Sequence, residues 1–364
     1  MSPNYRYSIL IPAYNGEAFL REALYSAVRQ TRKADEIIVV DDGSTDNTAD
    51  LAQSSEFKKD VQYYYHEKGN GFVEAWNQAI QKATGDFIIL LHQDDLLDLE
   101  YLAVIDKARQ RYPNVRHFYT ACNYIDETGE VTRLPIGPYS LDPVLYSGRQ
   151  YAHNYLNGII QNKYIHRCPG VTTNRELLLN ECTYRKEAGH IADDDFFLRV
   201  GAFTDVVGIS QPLASYRHHS GSETGRLDLL SLKLAEAYIF QVKYYKDGSS
   251  ILDPEDIEKI NRQAVRFINL LLFQGLLFKR ENWIERALEL RTELDRVLPD
   301  FMERYLPRWA RPLWKFMSNR GRRHLTASLY VQFLHSMRQM RDFGRSLIRR
   351  GQYYRCKQHR DKGC

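Results

Sequence analysis

This chain has few cysteines, no long apolar run and only a small net charge. The first two of these features each exclude a class of protein. The five cysteines show no CxxC spacing and are odd in number. They therefore predict neither a zinc site nor a disulfide framework, and we expect a reducing cytoplasm. The longest apolar stretch, residues 268–278, is interrupted by Asn269 and Gln274 and is too short to span a bilayer.

What the chain does contain is typical of a soluble globular protein. It has 364 residues, 43% of them hydrophobic and 26% charged, which is more than one typical domain needs. Residues 1–7 are polar and lead into a strand, so we expect no signal peptide. The net charge of +4 is small, but basic residues crowd the end of the chain and predict an anionic partner there. They are Arg308, Arg311, Lys315, Arg320, Arg322, Arg323, Arg341, Arg345, Arg349, Arg350, Arg355 and Lys357.

Short apolar strands alternate with helical periodicity in the first part of the chain. The pattern predicts strands at 7–12, 36–40, 61–65, 87–91 and 115–121, and helices at 17–30, 46–52, 72–83 and 97–111. We expect Pro12 to break the first strand. Residues 132–147 hold four prolines and glycines and predict a long loop near the site. This alternation predicts an α/β fold with a mostly parallel, Rossmann-like sheet flanked by helices.

Helical patterns dominate after Gly225. They cover residues 227–246, 254–279, 283–298 and 325–349. We therefore predict an α/β domain over residues 1–225 and a mainly α-helical, basic C-terminal region over residues 226–364.

Two acidic clusters are the main functional signal. Asp41–Asp46 and His92–Asp95 each directly follow a continuous apolar strand. In open α/β sheets ligands bind at the carboxyl ends of strands, and carboxylates are the ligands that Mg²⁺ and Mn²⁺ prefer. The alternative is that Asp41–Asp46 is only a turn and helix cap. Two such clusters at successive strand ends favour a ligand site.

Several motifs together resemble the family 2 glycosyltransferases of the GT-A fold. They are Ser8–Asn15, Val39–Asp46, Asn70-Gly71, Thr84–Asp86 and Gln93–Asp95, in the family's order and spacing. The resemblance covers roughly the first 220 residues. It implies transfer of a sugar from a nucleotide-diphosphate donor with inversion at the anomeric carbon.

The resemblance also implies roles for residues at the donor site. Pro12 and Tyr14 match positions beside the nucleotide base, and Asp42 matches the carboxylate that hydrogen-bonds base or ribose. Asp94 and Asp95 match the DxD-type element that holds ribose and a divalent cation, Mg²⁺ or Mn²⁺, on the diphosphate.

The chain departs from the family pattern at two donor-site positions. His92 stands where many relatives have the first Asp of the DxD-type element, and it is a further candidate metal ligand with a structural role as the alternative. Trp76 replaces an arginine common in relatives, and we expect it to pack on its helix.

The residues before Arg199 resemble the family's catalytic-base element. Aligning Arg199 with the arginine of that element puts Asp193 at the base position and Ala192 where Glu is commoner. The register is open by one residue, so Asp194 is the second candidate. The alternative is that these acids only cap a helix against its dipole.

Residues 215–220 resemble the family's closing Tyr-Arg-x-His segment. Arg217 and His219 would donate charge-assisted bonds to phosphate oxygens as the segment closes. A solvated loop is the alternative.

The expected partners are a nucleotide sugar and a glycan or lipid-linked acceptor of polysaccharide biosynthesis. Aromatic and basic residues interleave at 309–316 and 345–350, which suits contact with the inner membrane surface. Ordinary amphipathic helices are the alternative. We expect a cytoplasmic protein, peripheral at the membrane face if that contact is made, and no nucleic-acid binding, because no recognition motif is present.

Two other functions fit the same residues. A nucleotidyltransferase also uses strand-end acids and a metal, and differs by releasing pyrophosphate. A catalytically silent nucleotide-sugar binding module is suggested by His92, Trp76 and Ala192.

Overall fold

The computed structural model describes residues 5–67, 71–161, 163–222, 227–277, 280–308, 310, 311 and 314. The chain divides into two compact units, residues 1–284 and residues 285–364. Within the described part, the first unit holds a sheet of ten strands, flanked by helices.

Four parallel strands form one half of this sheet. They are β1 (Tyr7–Ala13), β2 (Glu36–Asp41), β3 (Val61–Tyr65) and β4 (Phe87–Leu90), in the order β3-β2-β1-β4. Every residue of β1, β2 and β4 is buried, which explains their continuous apolar sequences. Because Ala13 pairs with Asp41, the carboxyl ends of β1 and β2 meet at one edge.

The other half of the sheet is mixed. It contains β5 (Leu96–Leu97), β6 (His117–Ile125), β7 (Val131–Arg133), β8 (Val144–Tyr146), β9 (Val171–Asn174) and β10 (Val206–Arg217). Strand β9 runs antiparallel between β4 and β6, whereas β10 runs parallel to β6. The carboxyl ends of β6 and β10 therefore point the same way, and the predicted α/β architecture is confirmed.

Six helices pack along this sheet region. They are α1 (Leu20–Val28), α2 (Thr48–Ala52), α3 (Phe72–Lys82), α4 (Tyr101–Arg111), α5 (Gly148–Gln161) and α6 (Ala192–Val200). The buried residues of α1 are Leu20, Ala23, Leu24 and Ala27, a helical spacing that places one apolar stripe in the same core as Ile9.

Three local predictions are corrected by the structure. Strand β1 continues through Pro12 to Ala13, because a proline near a strand end removes little from the ladder. The helix expected from Leu97 begins only at Tyr101, because Leu97 pairs with β10. The expected loop 132–147 includes most of β7 and all of β8, short strands whose sequence gave no signal because they pair only with the margins of β6 and β10.

The helical predictions after residue 226 agree with the structure where it describes the chain. The helices are α7 (Leu227–Tyr245), α8 (Pro254–Leu277), α9 (Glu281–Val297) and α10 (Phe301–Tyr305). Helices α7 and α8 pack together, with the rings of Tyr238 and Phe267 stacked at 5.2 Å between centroids. None of the described helices is both long and apolar enough to span a membrane.

Some predictions fall on residues outside the described part. These are the helix at 325–349, the segment 345–350, most of the segment 309–316 and the boundary at Gly225. In the second unit, the Arg291 guanidinium lies 5.1 Å from the ring centre of Trp314. Membrane-surface contact and the division at Gly225 stay predictions.

Candidate active site

The loop after β1 is tied to the segment after β4. The backbone N–H of Tyr14 donates to Gln93 Oε1 at 2.8 Å, and Gln93 Nε2 donates back to the Tyr14 carbonyl at 3.1 Å. A Cβ on Gly16 would lie 2.4 Å from Gln93 Oε1, so a larger residue at position 16 would displace the Gln93 side chain. Pro12 is buried in β1, whereas the Tyr14 side chain is 58% exposed at the sheet edge.

The two acids that end β2 have different partners. Asp41 accepts from the Ser44 N–H at 2.8 Å and from the Tyr63 hydroxyl at 2.7 Å, so it holds the turn. Asp42 accepts from the backbone N–H of Gly71 at 3.0 Å, at the start of α3. Successive side chains point to opposite faces near a strand end, which explains the difference. Asn70, the other half of that loop motif, lies outside the described residues.

The segment after β4 brings three candidate metal ligands together. One ligand atom each from His92, Asp94 and Asp95 lies within 4.8 Å of the others. His92 Nε2 and Asp95 Oδ2 are buried and have no hydrogen-bond partner in the described part of the chain. Buried polar atoms are normally satisfied. One imidazole nitrogen with carboxylate oxygens is a donor set that suits a divalent cation such as Mn²⁺.

Burial controls the protonation of this cluster. The ring of Trp76 stacks on His92 with 5.1 Å between centroids and an interplanar angle of 21°. Burial lowers the pKa of His92, and the carboxylates of Asp94 and Asp193 oppose that shift. Burial also raises the pKa of Asp95 well above its usual value, and the Asp94 charge adds to the rise. His92 is therefore a neutral imidazole with a lone pair for a cation.

Arg217 holds the Asp94–Asp95 turn in place. Its backbone N–H donates to Asp95 Oδ1 at 2.8 Å, and its Nε donates to the Asp94 carbonyl at 2.8 Å. The terminal nitrogens donate to the carbonyls of residues 126 and 127 and to the Glu22 carboxylate. The side chain is fully buried, so the predicted contact with phosphate oxygens would have to replace these bonds.

His219 lies directly beside one of the candidate metal ligands. Its Nε2 is 3.0 Å from Asp94 Oδ2, and its ring packs on Phe19 with 4.5 Å between centroids. Residues 215–220 therefore contact the cluster of His92, Asp94 and Asp95 through both Arg217 and His219. They do not form a solvated loop.

The three acids at the start of α6 differ in their surroundings. Asp195 is completely buried and pairs with Arg185 and Arg199, each through a 2.9 Å contact from Nε to Oδ2. Asp193 and Asp194 are only partly buried, and Asp193 Oδ1 accepts from the Asp194 N–H at 2.9 Å. Asp195 therefore anchors the helix, and the other two carboxylates are available for chemistry.

Asp194 is set to titrate near neutral pH. Burial raises the pKa of Asp194 to about 7, with a further contribution from the Asp193 charge. The Tyr155 hydroxyl donates to Asp194 Oδ1 at 2.7 Å and opposes the rise. A carboxylate that titrates near the working pH is suited to accept a proton.

Two glycines set the spacing of α5, which carries Tyr155, against the end of α6. A Cβ on Gly148 would lie 1.8 Å from the Gly201 carbonyl oxygen, and one on Gly201 would lie 2.3 Å from the Gly148 carbonyl oxygen. No side chain fits between the two backbones. This close approach allows Tyr155 to reach Asp194.

Two residues near the predicted site could not be identified from the sequence. Tyr155 reaches Asp194 across 39 positions of the chain. Arg167 lies with its guanidinium carbon 4.9 Å from the ring centre of Tyr216, far away in the sequence. Such pairs depend on tertiary packing, and no local spacing signals them.

Sequence comparison places these motifs in a known family. Residues 8–129 match the model of glycosyl transferase family 2. An uncharacterized glycosyltransferase of Rickettsia conorii is 26% identical over 244 residues, which are 64% of this chain but only 37% of that protein. EpsH of Bacillus subtilis, provisionally named as a glycosyltransferase, is 26% identical over 72% of this chain and 74% of its own.

Structural comparison supports the GT-A fold. Residues 1–349 of Staphylococcus aureus TarS, solved with UDP-GlcNAc, align with a TM-score of 0.60 at 16% identity, covering 86% of this chain and 87% of that one. At this identity the likeness concerns the fold. Residues 8–129 are thus similar to glycosyl transferase family 2, and the chain shares the fold of TarS.

Proposed function

We propose that the protein is an inverting glycosyltransferase that moves a sugar from a nucleoside-diphosphate donor to a hydroxyl of a glycan or lipid-linked acceptor in polysaccharide biosynthesis. The supporting observation is that Asp193 lies close enough to the cluster of His92, Asp94 and Asp95 for its charge to act on His92. Inverting transfer needs a base for the attacking hydroxyl and stabilisation of the leaving phosphate. TarS, solved with UDP-GlcNAc, supports a nucleotide sugar as the donor class.

The donor's base and ribose are assigned to the ends of β1 and β2. The exposed ring of Tyr14 offers a surface beside the buried Pro12. The Asp42 carboxylate accepts hydrogen bonds from a ring N–H or a ribose hydroxyl.

A divalent cation, Mg²⁺ or Mn²⁺, is assigned to His92, Asp94 and Asp95. The unsatisfied Asp95 Oδ2, which lies 3.6 Å from His92 Nδ1, supports this assignment, and so does the lowered pKa of the imidazole. When bound, such an ion acts as a Lewis acid that neutralises charge on the diphosphate.

In the proposed reaction, the acceptor hydroxyl oxygen attacks the anomeric carbon opposite the diphosphate. Its proton passes to the carboxylate of Asp193, with Asp194 as the second candidate. The bond between the anomeric carbon and the diphosphate oxygen breaks, and the electron pair leaves with the nucleoside diphosphate. His219, beside Asp94, is the residue of the closing segment that is proposed to donate a hydrogen bond to a phosphate oxygen. Arg217 positions that segment.

The test begins with thermal stabilisation by a panel of nucleotide sugars, with and without Mn²⁺, because a ligand that binds only the folded state raises the melting temperature. Asp94→Asn should abolish the Mn²⁺-dependent part of the shift. Asp193→Asn should keep the shift but lose at least about a hundredfold in transfer rate, as loss of a general base predicts.

Asp142→Asn is a suitable control, because Asp142 is exposed and pairs only with the exposed Arg111 among the described residues. Full transfer activity in Asp94→Asn or Asp193→Asn would refute the assigned roles. Release of pyrophosphate in place of nucleoside diphosphate would identify a nucleotidyltransferase. Donor binding without turnover would identify a silent binding module.

A further inference from the structure

A cation lies at the carboxyl edge of the sheet among three aromatic rings. The Arg167 guanidinium carbon is 3.5 Å from the ring centre of Tyr164, 4.9 Å from that of Tyr216 and 5.7 Å from that of Tyr124. Tyr124 of β6 and Tyr216 of β10 are register partners at the carboxyl ends of parallel strands. Ligands bind at this edge in α/β sheets.

Arg167 has no anionic partner within the described residues. No carboxylate oxygen there lies within the 4.0 Å ion-pair distance of its guanidinium, and its Nε donates only to the neutral Tyr124 hydroxyl, at 3.3 Å. Arg185, Arg199 and Arg217, by contrast, all pair with carboxylates. A partly buried cation without an anion is costly, so a ligand that supplies the anion would be favoured.

Arg167 lies near two parts of the proposed site, the acids at the start of α6 and the candidate metal ligands after β4. The ring of His166, the preceding residue, stacks on that of Tyr155, the donor to Asp194, with 4.9 Å between centroids. On the other side, Tyr216 directly precedes Arg217, whose backbone N–H donates to Asp95 Oδ1 at 2.8 Å. Arg167 therefore lies near the proposed base helix as well as near the β4 cluster. The donor diphosphate is already assigned to that cluster, which leaves Arg167 for the other substrate.

We propose that Arg167, framed by Tyr124, Tyr164 and Tyr216, binds a phosphate group of the acceptor. This assignment rests on the proposed function and adds a substrate class to it. The planar guanidinium donates paired bonds that match a phosphate, and tyrosine hydroxyls provide further donors. An acceptor phosphate held here would orient its neighbouring hydroxyl toward Asp193 and Asp194.

The experiment uses phenyl phosphate as the probe and benzyl alcohol as its neutral counterpart. Each is titrated calorimetrically into the 364-residue chain, first alone and then with Mn²⁺ and saturating UDP, a nucleotide found in complex with TarS. Phenyl phosphate should bind in both conditions. Arg167→Gln should weaken it by about tenfold or more, the usual worth of a hydrogen bond to a charged group. Benzyl alcohol should not bind measurably.

Two further variants guard against misfolding. Arg29→Gln removes another arginine that lies over a tyrosine ring, 4.5 Å from the centre of Tyr25 on α1, and should leave phenyl phosphate binding unchanged. Arg167→Lys keeps the positive charge but loses the paired N–H donors of the guanidinium. This variant should bind phenyl phosphate more weakly than wild type but more tightly than Arg167→Gln, with an unchanged melting temperature.

Phenyl phosphate binding that is the same in Arg167→Gln as in wild type would overturn the proposal. So would displacement of phenyl phosphate by UDP together with an equal loss of UDP affinity in Arg167→Gln, because Arg167 would then serve the donor. Unchanged UDP affinity in that variant supports the acceptor assignment. Failure of the proposed function is distinct, since it would appear as wild-type protein that binds phenyl phosphate through Arg167 but turns over no nucleotide sugar.

Discussion

Replacing Tyr155 by phenylalanine removes a single hydroxyl group and should move the titration of the Asp193–Asp194 pair to higher pH. The hydroxyl donates to Asp194 Oδ1 at 2.7 Å and stabilises the ionised carboxylate. Without that donor the protonated form gains relative to the ionised form, so the pKa rises. The Tyr155 side chain is only 1% exposed, which leaves little access for water to replace the lost bond.

The size of the shift follows from the type of bond. A hydrogen bond to a charged group is worth about 1.5–3 kcal/mol, and 1.36 kcal/mol corresponds to about one pKa unit. The pKa of Asp194, about 7 in the wild type, should therefore rise by roughly one to two units. At pH 7 the Asp194 carboxyl would change from about half protonated to almost fully protonated, and transfer should slow accordingly.

The measurement is a carboxyl ¹³C NMR titration of aspartate-labelled protein, with Asp194→Asn used to assign the signal. Because the two acids interact, the observed steps belong to the pair. Tyr151→Phe is the matched control: Tyr151 is a buried tyrosine on the same helix whose hydroxyl lies 2.8 Å from His166 Nε2. A Tyr155→Phe titration at or below the wild-type position would refute the reasoning.

Two further predictions concern the supports of the site. Asp195→Ala should destabilise the protein by about 3–5 kcal/mol in urea unfolding, because it leaves Arg185 and Arg199 without their buried partner, whereas Asp142→Ala at an exposed pair should change nothing measurable. An Asp195→Ala midpoint equal to wild type would contradict that role. Trp76→Leu should raise the pKa of His92 toward its ordinary value of about 6.5, because the ring loses the stacked indole that buries it. Histidine NMR titration measures this shift, and an unmoved His92 signal would show that burial has another source.

The strand ends could be predicted from sequence because buried parallel strands are continuously apolar. Ile37–Val40 and Phe87–Leu91 are continuous apolar runs of this kind, and the acids that follow them must lie at the sheet edge. Strands β7 and β8 could not be predicted, because each has only three residues, mostly exposed, and prolines and a glycine crowd the segment between them.

The roles of individual acids and cations were harder to predict from sequence. Asp41 and Asp42 are identical in type, and only their opposite directions make the first a turn anchor. Arg217 fits a phosphate-binding motif, yet its donors are used by the protein around Asp94 and Asp95. Arg167 belongs to no motif, because its tyrosine neighbours come from separate parts of the chain.

The paired hydrogen bonds between Tyr14 and Gln93 would make the two halves of the proposed donor site thermodynamically interdependent. Gln93 stands in the chain between His92 and Asp94, so immobilising Tyr14 against a nucleobase also restrains the segment that carries the candidate metal ligands. Nucleotide and cation would then each tighten the binding of the other by the same factor, since coupling between two sites is reciprocal. One amide side chain would thus favour the complete donor complex over either ligand alone.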